Sequence, residues 1–168
     1  MGAQQKTERW TPEKILSRIN SYGPYVGAGI QVSSFSEADN EMVVRMPLTD
    51  QNANLVGTQF GGSLYAMVDP HLMLILMLRL GPEYTVWDKA AQIDFLKPGT
   101  GEVQAHIRVT PDELGQIRAQ TASGAPYLPT WQITIRDEAG EAVARVHKTL
   151  WIRRSHPRGD SADRGANS

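Results

Sequence analysis

Residues able to do chemistry concentrate in one stretch, Asn54-Leu55-Val56-Gly57-Thr58-Gln59-Phe60-Gly61-Gly62, followed by Asp69. Two adjacent glycines opening a helix leave backbone N–H groups without an intrahelical partner, and no side chain keeps a carbonyl away from them. That pattern suits an oxyanion hole. Asp69 stands at the edge of an apolar segment, where loss of water is expected to raise its pKa and make it a better base than a surface carboxylate. It is the candidate base or nucleophile. A helix rises about 1.5 Å per residue, which separates Gly62 from Asp69 by roughly 10 Å. One reacting carbon cannot lie about 3 Å from both groups. If both act, Asp69 of one protomer must meet the glycine amides of another, as a two-fold dimer with antiparallel helices allows. A structural reading competes. Asp69-Pro70 is also a good N-cap and first helical residue, so Asp69 can instead start a second helical segment after a break. Pro70 in any case removes the bond to the Ala66 carbonyl and kinks the helix.

A second charged pair, Asp88-Lys89, lies in a strand-like segment where neighbours point to opposite faces unless the strand is bulged. Lys89 then shares a face with Trp87, Ala91, Ile93 and Phe95, and a lysine there needs an anion or a route to water. It pairs with Asp69, meets a ligand anion, or snorkels at an edge; the residues alone do not choose. Ser63 follows the glycines without an elbow motif or a histidine partner, so helix packing explains it adequately. His71, His106, His147 and His156 lack metal-ligand spacing, and no metal is expected. Met67, Met73 and Met77 suit a core or an acyl channel better than a cofactor site.

The elements that must position these residues can be read from periodicity and breakers. Thr11-Pro12-Glu13 starts a short helix running to about Asn20, closed by Gly23-Pro24. Segments Gly29–Phe35 and Glu41–Pro47 flank the turn-rich Ser36–Asn40 as a hairpin. From Leu64 to Leu80 the chain is apolar with almost no β-branched residues, and between Leu72 and Leu78 it is apolar on every side. Such a helix must be enclosed by protein. The run Leu72–Leu78 is shorter than the roughly 20 residues of a membrane span. Tyr84–Leu96 and Glu102–Thr110 flank Lys97-Pro98-Gly99-Thr100-Gly101 as a second hairpin, and Trp131–Arg136 and Ala142–Arg153 make the last two strands around Asp137–Gly140. The order of two strands, one long helix and four strands is the α+β arrangement of a central helix cupped by an antiparallel sheet, with an N-terminal helix added. Residues 1–10 are expected to be flexible, 11–154 to form one domain, and 155–168 to be a disordered tail.

Composition narrows the function classes. The chain has 168 residues, 40% of them hydrophobic, enough for one domain with a real core. A formal net charge of −1 supplies no long basic surface, so nucleic acid is not an expected partner. The absence of cysteine excludes a disulfide framework, a thiolate zinc site and a cysteine nucleophile. The N-terminus lacks the apolar core of a secretory signal, and the protein is expected to be soluble and cytoplasmic, away from the membrane.

Asn54, Gly57, Phe60, Gly61, Gly62 and Asp69 together resemble the Asn-x-x-Gly-x-x-(His)-Gly-Gly pattern, with its later aspartate, of hotdog-fold thioesterases of the phenylacetyl-CoA type. Val86-Trp87-Asp88-Lys89-Ala90-Ala91-Gln92-Ile93-Asp94-Phe95-Leu96-Lys97-Pro98-Gly99 resembles the DUF4442 branch of that superfamily more closely. The resemblance runs from about Pro12 to Arg153. It implies a hotdog fold and hydrolysis of acyl-CoA or a similar acyl thioester, with no cofactor beyond the coenzyme A of the substrate itself. Asp69 would aid water attack, the Gly61 and Gly62 amides would polarise the carbonyl, and Asn54 would position the site from the loop. Gln59, Phe60, Ser63 and Lys89 are the candidate substrate contacts. A homodimer is expected, with a tetramer formed by pairing of two dimers as its extension. One departure stands out: Phe60 replaces the family histidine. It favours the alternative of a non-catalytic acyl-thioester binding protein, while a dehydratase would need a His and acid pair that the loop lacks.

Overall fold

The computed structural model describes residues 11–155; the expected flexible N-terminus and nearly all of the expected tail lie outside them. Helix α1 (Pro12–Asn20) starts as its sequence requires, with the Thr11 hydroxyl accepting from the Lys14 amide at 3.4 Å and Pro12 at the first position. Gly23-Pro24 does more than end it. Proline suits a first helical turn as well as it breaks a running helix, and here it opens a second short helix, α2 (Gly23–Ala28).

Strands β1 (Gln31–Ser36) and β2 (Glu41–Met46) form the expected hairpin, with Asn40 left-handed at φ 51° in the turn. The central apolar segment is helical in two pieces, α3 (Gly61–Ala66) and α4 (His71–Leu80). Residues 61–80 together are long and apolar enough, by length and composition, to cross a membrane, a length that the run Leu72–Leu78 alone does not reach. In the fold this segment is the core helix: Leu64, Met67, Val68, Leu72, Ile75 and Leu76 are buried against the sheet. Met77 is the exception on its outer side, at 40% exposure.

The remaining strands are β3 (Tyr84–Phe95), β4 (Val103–Arg108), β5 (Thr130–Asp137) and β6 (Ala142–Arg154). All six make one antiparallel sheet in the order β1-β2-β4-β5-β6-β3. The second hairpin expected around Lys97–Gly101 does not form, because β3 pairs with β6 and β4 lies between β2 and β5. The linking segment is held elsewhere: the Gly99 carbonyl accepts from the Gln59 amide at 2.9 Å and the Gly101 carbonyl from Gln59 Nε2 at 3.1 Å. It therefore ties the loop before α3 to the sheet.

A fifth helix, α5 (Pro111–Gln120), lies between β4 and β5, where hydrophobic periodicity predicts none. Its start repeats the Thr-Pro pattern of α1 and adds a full capping box: Thr110 Oγ1 accepts from the Glu113 amide, and Glu113 Oε2 accepts from the Thr110 amide at 2.7 Å. Leu114 and Ile117 bury its inner face, and Arg118 donates to the Arg79 carbonyl at the end of α4.

The two sheet edges are finished differently. On β1, the Asn20 side-chain amide accepts from the Val32 N–H at 2.8 Å and donates to the Val32 carbonyl at 3.0 Å, standing in for a strand. On β3, twelve residues long, no strand among the described residues pairs with the outer edge, and Trp87 and Phe95 are more than half or half exposed. A long open edge with exposed aromatic side chains is a template for another chain.

Candidate active site

The loop before α3 is organised by Asn54. Its Oδ1 accepts from the Val56 and Thr58 amides, each at 3.0 Å, and its Nδ2 donates to Thr58 Oγ1 at 2.9 Å. Gly57 sits in the left-handed region at φ 77°, which closes this turn. Asn54 thus shapes the loop that precedes α3. Gln59 belongs to the same scaffold: it is buried, and its Nε2 is engaged by the carbonyls of Met46 and Gly101. Its side chain is turned inward, and it borders a cleft that Gly61 and Phe95 also line.

The first hydrogen bond of α3 runs from the Leu64 amide to the Phe60 carbonyl at 3.0 Å, so the Gly61, Gly62 and Ser63 amides precede the helical ladder. Both glycines are crowded by aromatic rings. A Cβ on Gly62 would stand 2.6 Å from the Phe60 ring, and one on Gly61 would stand 3.0 Å from the Phe95 ring. Phe60, half exposed, covers the helix start that the family pattern gives to histidine. A cleft of about 670 Å³ opens here between Asn54, Leu55, Val56, Phe60 and Ser63. Leu55 and Val56 project from it almost fully exposed.

Asp69 lies at the break between α3 and α4. It is not an N-cap: α4 is preceded by Pro70 and has no side-chain cap, so that structural reading falls. Its Oδ1 accepts from Tyr65 Oη at 2.7 Å and from Lys148 Nζ at 2.6 Å. Lys148 also pairs with Asp88 at 3.1 Å, and is completely buried while the two carboxylates remain about a third to two-fifths exposed. The expected rise in the Asp69 pKa does not occur. Burial does push it up, but the bonds from Lys148 and Tyr65 outweigh burial and hold it below the usual carboxylate value. Asp88 goes the other way, raised by burial that the Lys148 charge offsets only in part.

The partner of Asp69 is therefore Lys148, and Lys89 is elsewhere. The register of β3 against β6 slips between Asp88 and Ala90, so Lys89 is the extra residue of a bulge and is exposed. The slip switches the inward face: Val86 and Asp88 point in before it, Ala91, Ile93 and Phe95 after it. Regular alternation placed Lys89 with the second set. Lys148 carried a signal in the sequence, since it interrupts the inward row Ala144, Val146, Leu150, Ile152 of β6. Tyr65 and His71 carried none beyond their position on the helix.

The break between α3 and α4 is closed by a buried pair. Pro70 leaves the Ala66 carbonyl without its helical donor, and Tyr25 Oη donates to that carbonyl at 2.9 Å. Tyr25 Oη is also hydrogen-bonded to His71 Nε2, at 2.9 Å. Burial first, and the Lys148 charge second, push the His71 pKa down to about 3. Tyr25, Ala66, Asp69, Pro70 and Leu74 line a cleft of about 660 Å³ under α1 and α2. Among the described residues no cluster of His, Asp and Glu could hold a metal ion.

Comparison with known proteins places this geometry. The sequence model of the family described as "Domain of unknown function (DUF4442)" matches residues 13–152. No curated protein shows significant similarity to the sequence. Among solved structures, a protein of unknown function and probable thioesterase from Pseudomonas aeruginosa is 18% identical, with a TM-score of 0.74 over 86% of this chain and 97% of that one. A thioesterase from Haemophilus influenzae is 21% identical, with a TM-score of 0.63 over 90% of this chain and 96% of that one. A mutant of a phenylacetic acid degradation protein from Thermus thermophilus is 23% identical, with a TM-score of 0.52 over 76% and 96%. At such identities the likeness establishes the hotdog fold.

Proposed function

This chain belongs to the DUF4442 family, and from that premise we propose that it is an acyl-thioester hydrolase working as a two-fold dimer, with acyl-CoA as the substrate class. The observation that carries the proposal is the pairing on one broken helix of two complementary groups, glycine amides outside the helical ladder at its start and an ionised, part-exposed carboxylate at its break, beside a sheet edge that no strand among the described residues pairs with. Continuing the sheet through β3 of a second copy would bring the Gly61 and Gly62 amides of one protomer toward Asp69 of its partner. The amides polarise the thioester carbonyl as it gains negative charge. Asp69 orients a water and accepts its proton as the water oxygen bonds to the carbonyl carbon; the tetrahedral intermediate then collapses, breaking the carbon–sulfur bond. The proton passes to the leaving thiolate, giving acid and thiol.

The second reading is an acyl-thioester binding protein without turnover, favoured by one observation: the Phe60 ring lies over Gly62 where the family pattern has a histidine. An acyl-CoA panel assayed with the wild type and Asp69→Asn separates the two. Hydrolysis that falls by about 10² or more in Asp69→Asn, with binding kept, supports the enzyme. A wild type that binds thioesters but cleaves none supports the binder. Equal activity in the variant removes Asp69 from the mechanism, and a monomeric mass in light scattering removes the shared site.

A further inference from the structure

Lys148 sits where an aliphatic residue belongs. It is fully buried in the inward row of β6, between Val146 and Leu150, and every neighbour in that row is apolar. Stability alone does not account for it, because a buried ion pair contributes no more than a well-packed apolar side chain of similar size. Its ammonium has three N–H donors, and three oxygens surround it: Asp69 Oδ1 at 2.6 Å, Asp88 Oδ1 at 3.1 Å and Tyr65 Oη at 3.3 Å. Nothing is left over for a ligand, so Lys148 acts through the groups it holds.

The contacts at Asp69 are one-sided. Tyr65 and Lys148 both donate to Oδ1, and every side-chain bond to Asp69 among the described residues falls on that oxygen. Meanwhile Asp69 keeps two-fifths of its side-chain surface open and lines the cleft beneath α1 and α2. We infer that Lys148 and Tyr65 are positioning residues that clamp Oδ1 of Asp69 and so leave Oδ2 as the oxygen that acts on substrate, with Asp88 of the edge strand holding Lys148 in place. The inference rests on the reading of Asp69 as the acting carboxylate. The bulge at Lys89 is what makes it possible, since it turns Asp88 inward to reach Lys148.

The charged and titratable groups facing Asp69 are Lys148 on β6, Asp88 on β3, Tyr65 on α3, His71 on α4 and Tyr25 on α2. Arg18 of α1 lines the same cleft. Of these, only Lys148 carries positive charge into direct contact with the carboxylate. Its loss would leave Asp69 beside Asp88, with burial opposed chiefly by the Tyr65 bond.

The test follows the Asp69 carboxyl carbon by NMR titration, assigned by its disappearance in Asp69→Asn, in the full chain and in Lys148→Met, Lys148→Arg and Tyr65→Phe. The titration midpoint should rise by at least about one pH unit in Lys148→Met, rise less in Tyr65→Phe, and return part of the way in Lys148→Arg. With acyl-CoA, kcat should fall in Lys148→Met more than KM rises, and the acid limb of kcat/KM should move up with the NMR midpoint. A midpoint that stays put in both Lys148→Met and Tyr65→Phe overturns the clamp. Should Lys148→Met fail to fold, Tyr65→Phe, altered at a half-buried hydroxyl, decides by the same midpoint. A wild type that cleaves no thioester refutes the proposed function, while the titration still decides whether Lys148 and Tyr65 set the state of Asp69.

Discussion

The start of the central helix and the break in its middle do their proposed work with different material. At the α3 end the functional groups are backbone amides that precede the helical ladder, on glycines whose missing side chains leave room for the Phe60 and Phe95 rings. At the break before α4 the functional group is a side chain, made effective by what has been added: a buried lysine, a tyrosine hydroxyl and a second carboxylate. The first end is therefore sensitive to size and the second to charge. A site divided in this way lets one helix serve two half-sites, provided that a second copy presents its opposite end.

The largest effect expected from this contrast is at the glycine end. Gly62→Val places a branched side chain where even a Cβ meets the Phe60 ring at 2.6 Å, so the helix start or the ring must move. Displacing a reacting group by an ångström costs on the order of 10² in rate. Acyl-CoA hydrolysis should fall by about that factor with an unchanged pH profile, and a shifted profile would show that the ends are not separate.

At the other end the response should be to pH. His71 is buried neutral, with its folded value near 3 against an ordinary 6.5. Its folded value lies below its unfolded one, so its contribution is complete above about pH 6.5 and is lost as pH falls toward 3. Within that window the stability of the wild type should drop by up to about 1.4 kcal/mol per pH unit from this group. Urea unfolding at several pH values should show that slope, reduced in His71→Phe and unaltered in Gly62→Val.

The smallest effect belongs to a position remote from both ends. Thr110→Ala removes the hydroxyl half of the α5 capping box and should cost about 1 kcal/mol. Thermal unfolding should register it while kcat/KM stays at the wild-type value. A loss of activity there would mean that stability, and not the chemistry of either end, limits turnover.

The same contrast explains what the sequence made legible. The glycine end is local: Asn54, Gly57, Gly61 and Gly62 lie within nine residues, and turn chemistry together with the rules of helix termini is enough to read them. The α+β arrangement and all six strands were legible for the same reason, through period-2 alternation. The Asp69 end is assembled from residues 19 and 79 positions away, Asp88 and Lys148, and its partner depends on a one-residue bulge that no alternation rule marks. Reading β3 as regular therefore put Lys89 in the place that Lys148 takes. The pairing of β3 with β6 was hidden likewise, because a Pro-Gly turn looks the same whether it closes a hairpin or crosses to another strand. Helix α5 is a different case, since Thr110-Pro111-Asp112-Glu113 repeats the start used to place α1.

The edges of the sheet carry the argument from one chain to two. Asn20 caps β1 at Val32 with a pair of hydrogen bonds, whereas among the described residues β3 is left open next to both Phe95, which packs on Gly61, and Asp88, which holds Lys148. The edge available for a second copy is the one that borders both half-sites.

Subunit mixing tests this most directly. Gly62→Val and Asp69→Asn, each inactive alone, are unfolded together, refolded and assayed for acyl-CoA hydrolysis. In a shared-site dimer, each mixed pair holds one site with both ends intact, so random pairing should restore about a quarter of wild-type activity. If both variants refold and exchange subunits but no activity returns, the half-sites do not meet across the dimer, and the account fails.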